Sequence, residues 1–242
     1  RWYPLGAPSG FYSTSRDFVD RVRPFVANQE PVEYVRAMIA SARQLRAMAQ
    51  ESRFSDSGAY SPHLSGIRVM SGGRQRAHWP LMVATAHWAE GVRNDIAFEL
   101  ERAILYALVC EVPSQDVERA IRGITVRARD GGEAAAPTVL SEIVALSRDY
   151  VKNLFFESNF KDLSYEDDSN LVRYVLRKIH DGLYREYKGR DARSADAGGS
   201  AFSDSEIEHI WPQVDGDALA TEDDSALVHR IGNLTLLSRS IN

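Results

Sequence analysis

Apolar residues return every three to four positions along most of the first 195 residues, the repeat of helices that bury one face. In "PVEYVRAMIASARQLRAMAQES" the stripe is Val32, Val35, Ile39, Ala42 and Leu45, with Pro31 placed for a first helical turn. Upstream, "SRDFVDRVRPFV" predicts a helix that opens near Ser15 and is ended or kinked by Pro24. Residues 52–66 read as a loop, followed by a short segment, a Gly-rich turn and a helix from about Trp79. "RNDIAFELERAILYALVCEVP" predicts a helix closed by Pro113, and "SQDVERAIRGITVRARD" predicts another. After a loop at "DGGEAAAP", the whole of "TVLSEIVALSRDYVKNLFFESNF" reads as helical, with Leu140, Ile143, Val144 and Leu146 apolar. The last helix, "DDSNLVRYVLRKIHDGLYREYKGR", aligns Leu171, Val175, Ile179 and Leu183.

The pattern then changes. "GRDARSADAGGSAFSDSE" has almost no apolar content and reads as a flexible connection. Beyond it, "EIEHIWP" and "NLTLL" are short and strand-like, separated by an acidic loop. The fold class expected is mainly α, a multi-helix body followed by a small α+β module. The boundaries are a helical domain over 1–195 (with an irregular arm at 1–15), a flexible loop at 196–204, and the module at 205–242.

Composition narrows the function classes. The chain has 242 residues, 44% hydrophobic and 26% charged, ordinary for a globular protein with a sizeable core. No apolar run approaches the roughly 18–20 residues that span a bilayer. With neither an initial Met nor a signal-peptide pattern, the chain reads as a fragment of a longer, cytoplasmic protein. A net charge of −5 argues against coating nucleic acid by charge alone. It leaves room for a local basic groove, although arginines such as Arg119, Arg122, Arg127 and Arg129 suit a solvated helix face. The single cysteine, Cys110, can form neither an internal disulfide nor a cysteine-rich zinc site, and its apolar setting suggests a buried thiol. Any metal would therefore be held by oxygen and imidazole donors, which favours Mg²⁺ or Mn²⁺.

The residues that suggest chemistry lie in the terminal module. Cutting a phosphodiester requires a base to deprotonate water and a positive centre to hold the developing charge. His209 suits the base, because an ordinary imidazole accepts a proton near neutral pH. Glu208 and Asn242 offer the hard oxygen donors a divalent cation prefers. Asn233 can brace a turn through its side chain, and Pro212 forces the chain out of the strand after the base. Asn233 and Asn242 lie nine positions apart, with strand and then helix start between them, so the last Asn can return toward the first strand.

The pairing of "EHIWP" with "GNLTLLSRSIN" resembles the HNH, or ββα-metal, nuclease motif. Ser238 and Ile241 stand where the zinc-stapled variety carries cysteines, so that variety is excluded. More closely, "IEHIWPQ" with "HRIGNLTLLSRSIN" is similar to the C-terminal region of GmrSD-type modification-dependent restriction proteins. Looser likeness extends to "WPLMVATAHW", "FELERAILYALVCEV" and "LVRYVLRKI". The resemblance implies His209 as general base, Glu208 and Asn242 as ligands of one divalent cation, and Asn233 as the residue that braces the loop. His229, in "HRIGNL", is implied as a supporting residue. The chain stops at Asn242, where the family's helix should begin, so the module reads as truncated. The activity implied is a metal-dependent, nicking DNA endonuclease of a restriction or phage-defence system, acting on phage or modified DNA. The resemblance also implies a partner, an N-terminal nucleotide-dependent domain of the same full-length protein. "SGGRQR" at 71–76 is only a superficial echo of that domain's motif. The alternative is a DNA-binding or assembly module whose HNH site is degenerate and inactive. Among the other histidines, His180 reads as a helix-face residue, while His63, His78 and His87 share no spacing with carboxylates. His78, Trp79 and Trp88 read as packing residues.

Overall fold

The computed structural model describes residues 30–55, 58–188, 205–211 and 227–238. The predicted arm, the helix at Ser15 and Pro24, the loop at 196–204, Pro212 and Asn242 lie outside these residues. The described chain is helical up to residue 188 and closes with a small antiparallel hairpin, the architecture the periodicity suggests.

Helix α1 spans Pro31–Arg46, with Pro31 in its first turn. Its stripe behaves differently from the expectation. Val32, Val35 and Ile39 are exposed, and burial begins one turn later at Ser41, Gln44, Ala47 and Met48. The C-terminal end of α1 meets the rest of the body, where Gln44 Nε2 donates to the Met82 carbonyl at 2.9 Å. A π-helical turn over Ala47–Glu51 then ends at Ser52, which takes a left-handed φ of 53°.

The loop predicted over 52–66 is shorter than expected, because helix α2, Pro62–Met70, starts inside it. Ser61 caps α2 by accepting from the Leu64 N–H, and Pro62 fills the first turn. This Ser-Pro start is legible once the cap is weighed above the loop-like composition. The Gly-rich turn follows as expected, with Gly72 and Gly73 at positive φ. Helix α3, Trp79–Ala84, begins where predicted but lasts under two turns. Helices α4 (Glu90–Val109) and α5 (Ser114–Gly131) match their periodicities.

Two further expectations are corrected. "DGGEAAAP" is not an open loop. A 3₁₀ turn over Gly132–Ala135 leads directly into α6, Ala136–Asn153, with Pro137 in its first turn. The following helix is also not continuous. Phe155 adopts φ 53° and separates α6 from α7, Phe156–Lys161. Periodicity cannot show such a break, because apolar residues that pack on the core continue through it, Leu154 before Phe155 and Phe156 and Phe160 after it. Phe156 meets Tyr106 of α4 with ring centroids 4.9 Å apart.

The core gathers Leu64, Ile67, Met70, Leu81, Met82, Ile96, Leu100, Ile104, Ile121 and Ile143, all nearly or fully buried. Each such side chain contributes about 1.5–3 kcal/mol relative to exposure. Helix α8, Ser169–Lys188, lays Leu171, Val172, Val175 and Leu176 on this core, but Ile179 and Leu183 at the far end of its predicted stripe are exposed. Strands β1 (Ser205–His209) and β2 (Leu234–Ser238) pair antiparallel with His209 opposite Leu234 and Glu208 opposite Thr235. Leu234 and Leu236 of β2 join the same apolar cluster as the helices, so the hairpin is packed onto the helical body along α8.

Candidate active site

Residues directly opposite in an antiparallel pair share a face, and neighbours along a strand alternate. Leu234 and Leu236 are buried, so their partners His209 and Ile207 lie on the inner face. Glu208, opposite Thr235, lies on the outer face. The adjacent pair that the sequence presents as base and metal ligand is therefore split between the two faces and shares only the strand end.

Asn233 holds that end. Its backbone carbonyl accepts from the Ile210 N–H at 2.8 Å, and its side-chain oxygen accepts from the Trp211 N–H at 2.8 Å. Its amide nitrogen donates to the carbonyls of Trp211 (3.2 Å) and Val228 (2.8 Å). Its own N–H donates to the Arg230 carbonyl at 2.9 Å. The two carbonyls and the one N–H around the side chain also fix which amide atom is which. One residue thus ties the chain leaving β1 to the chain entering β2.

The inner face brings His209 to His229. Their rings meet edge to face with centroids 5.2 Å apart, and His209 Nε2 lies 3.3 Å from His229 Nδ1. The other nitrogen of His229, Nε2, lies 3.3 Å from a carboxylate oxygen of Glu166. Partial burial and then the neighbouring His229 push His209 below the ordinary imidazole range, while Glu208 pulls the other way. The net shift favours the neutral ring, the form able to accept a proton.

Glu166 comes from the turn between α7 and α8, and that turn is itself fastened to the module. Tyr165 N–H donates to the His229 carbonyl at 2.9 Å, and Ile231 N–H donates to the Leu163 carbonyl at 2.8 Å. Arg230 donates to Asp162 at 2.6 Å, and Arg173 of α8 donates to the Ser205 carbonyl at 3.0 Å. The sequence gives no hint of Glu166, which lies far upstream of His209 and His229 and shares no motif with them. Only the packed turn reveals it.

Among the described residues, no group of three His, Cys, Asp or Glu side chains is arranged to hold a metal ion. The partly exposed Glu208 carboxylate has the donor chemistry of a hard-cation ligand, and its expected co-ligand Asn242 lies outside the described residues.

A second polar cluster, also missed by spacing, sits in the helical body. Glu101 of α4 is buried, with His63 Nδ1 2.8 Å from one oxygen and Lys178 Nζ 3.1 Å from the other. Burial and then Glu101 push the Tyr174 hydroxyl upward. His78 and Trp88 are buried packing residues. Cys110 is partly buried, donates weakly to the Tyr150 carbonyl at 3.8 Å, and is pushed up by burial. Arg119, Arg127 and Arg129 pair with Asp116, Glu142 and Asp130, which neutralises much of the local positive charge within the body.

The helical body thus supports a short hairpin whose strand end carries the His209 imidazole, with the Asn233 clamp beside it. Residues 150–242 match the family model of GmrSD restriction endonucleases, C-terminal domain, and the match supports a restriction-endonuclease-related function. The matched stretch begins in α6 and so includes the turn carrying Glu166. No curated protein and no solved structure matches the chain.

Proposed function

We propose that the chain is a metal-dependent DNA endonuclease of HNH type, serving a restriction or phage-defence system. The observation that carries this reading is the Asn233 clamp on the backbone beside His209, inside the stretch that matches the family model. His209, held neutral, takes the proton of the attacking water. Glu208 and Asn242 are the proposed ligands of a single Mg²⁺ or Mn²⁺ ion, which would supply charge to stabilise the phosphate. One such site cuts one strand, so the expected product is a nick. The substrate is phage or modified DNA, with modification sensed by an N-terminal nucleotide-dependent domain of the full-length protein.

One observation favours a second reading, a DNA-binding or assembly module with an inactive site: Glu208 and His209 lie on opposite faces of the hairpin. Calorimetric titration with Mn²⁺ separates the two. The nuclease reading predicts that Glu208→Ala weakens Mn²⁺ binding by about 10-fold or more. Equal affinity in both proteins, or no binding in either, contradicts it.

A further inference from the structure

Resting on the nuclease reading, we propose that Trp211, with Ile210 beside it, is a DNA-stacking residue that receives a base next to the phosphate cut at His209. The two residues leave β1 directly after His209. Trp211 is 50% exposed and Ile210 67%, and neither belongs to the apolar cluster of the body. A Trp is highly buried on average, so an indole and an isoleucine standing together in solvent beside the candidate base call for a partner. The backbone beneath them is fixed. The Asn233 carbonyl accepts from the Ile210 N–H at 2.8 Å, its side-chain oxygen accepts from the Trp211 N–H at 2.8 Å, and its amide nitrogen donates to the Trp211 carbonyl at 3.2 Å. An indole on a fixed backbone has only two side-chain torsions left to immobilise, so it meets a flat partner at low entropic cost.

A nucleobase is the partner that fits. Every base has a π-face, and stacking on an aromatic side chain needs no particular sequence. Two residues of extended chain reach about 7 Å. Successive nucleotides of one strand rise about 3.4 Å. The ring at 211 is therefore within reach of the bases that flank a phosphate at His209. Isoleucine is among the apolar side chains that part a base step, so Ile210 suits the same task. Charge adds a reason. The chain carries a net charge of −5, and Arg119, Arg127 and Arg129 pair with carboxylates of the body. Attraction to phosphates alone is then limited, and stacking supplies a contact that does not depend on it.

The test is binding of the full chain to a fluorescein-labelled DNA single strand, followed by anisotropy in EDTA so that no cleavage intervenes. Trp211→Ala should bind about 5- to 100-fold more weakly, the range for loss of one stacked base. Trp211→Phe keeps a π-face and should bind within about 3-fold of wild type, whereas Trp211→Leu, apolar without one, should resemble Trp211→Ala. Stacking engages no phosphate, so the slope of log affinity against log salt concentration should be the same in all four proteins. The Asn233 contacts at 211 are all to its backbone, so the three variants keep them and should melt as wild type does. Independently of Trp211→Ala, DNA should quench part of the wild-type indole fluorescence, and Trp211→Phe should lack that part. Unchanged affinity in Trp211→Ala, full affinity in Trp211→Leu, equal quenching in Trp211→Phe, or a wild type that does not bind the strand overturns the proposal. Plasmid nicking by a wild type whose affinity does not depend on Trp211 removes the stacking site and leaves the nuclease reading standing. If the Trp211 effects appear in a protein that never nicks, the stacking site is supported and the nuclease reading fails separately.

Discussion

At the scale of single residues, environment decides what a histidine can do. His209 and His78 carry the same ring but differ in access. His209 sits at a partly exposed strand end beside another imidazole. His78 is fully enclosed, and burial lowers its pKa to about 3. The sign of the consequence follows from linkage. The unfolded chain binds the proton near pH 6.5 and the folded chain does not, so His78 favours folding above pH 6.5 and loses that contribution as pH falls toward 3. At pH 5 the loss should be about 2 kcal/mol, from about 1.4 kcal/mol for each pH step below 6.5. Urea unfolding at pH 7.5 and 5 should show this loss in wild type, and His78→Gln should remove it. An equal pH dependence in both proteins would mean that His78 is not the group responsible.

At the scale of elements, the helices are largely legible in the sequence and their ends and faces are not. Helices α4 and α5 follow their apolar repeats because the core surrounds those repeats over their full length. The stripe on α1 fails at Val32, Val35 and Ile39 because periodicity reports a helix's apolar face without showing whether a neighbour reaches it. The break at Phe155 escapes the pattern because a left-handed residue can sit between two helices without interrupting their apolar spacing. Gly66 shows how tightly α2, α4 and α8 meet. A Cβ there would collide with the Glu101 carboxylate, which His63 and Lys178 hold from either side, and would crowd Tyr174. Gly→Ala inside a helix ordinarily stabilises by about 1 kcal/mol. Gly66→Ala should instead destabilise by about 1–3 kcal/mol, the range for overpacking. A raised melting temperature would show that the cluster yields freely.

At the scale of the whole molecule, the site is assembled from both parts of the chain. The terminal strands and Asn233 stand out in the sequence because their residues are contiguous with a motif. Glu166 does not, because its relation to His229 exists only once the α7–α8 turn lies against residues 229–231. Arg173 and the burial of Leu234 and Leu236 hold the hairpin to α8 in the same way. The body therefore acts as the frame that orients the strand end carrying His209.

The most direct measurement is conversion of supercoiled plasmid by wild type and His209→Ala, each with Mg²⁺, Mn²⁺ or EDTA. The account predicts open circles from wild type with either metal and none with EDTA. It also predicts a rate lower by about 10²–10⁴-fold in His209→Ala, the range for loss of a general base. Absence of conversion by wild type, or equal conversion by the His209→Ala protein, would contradict it.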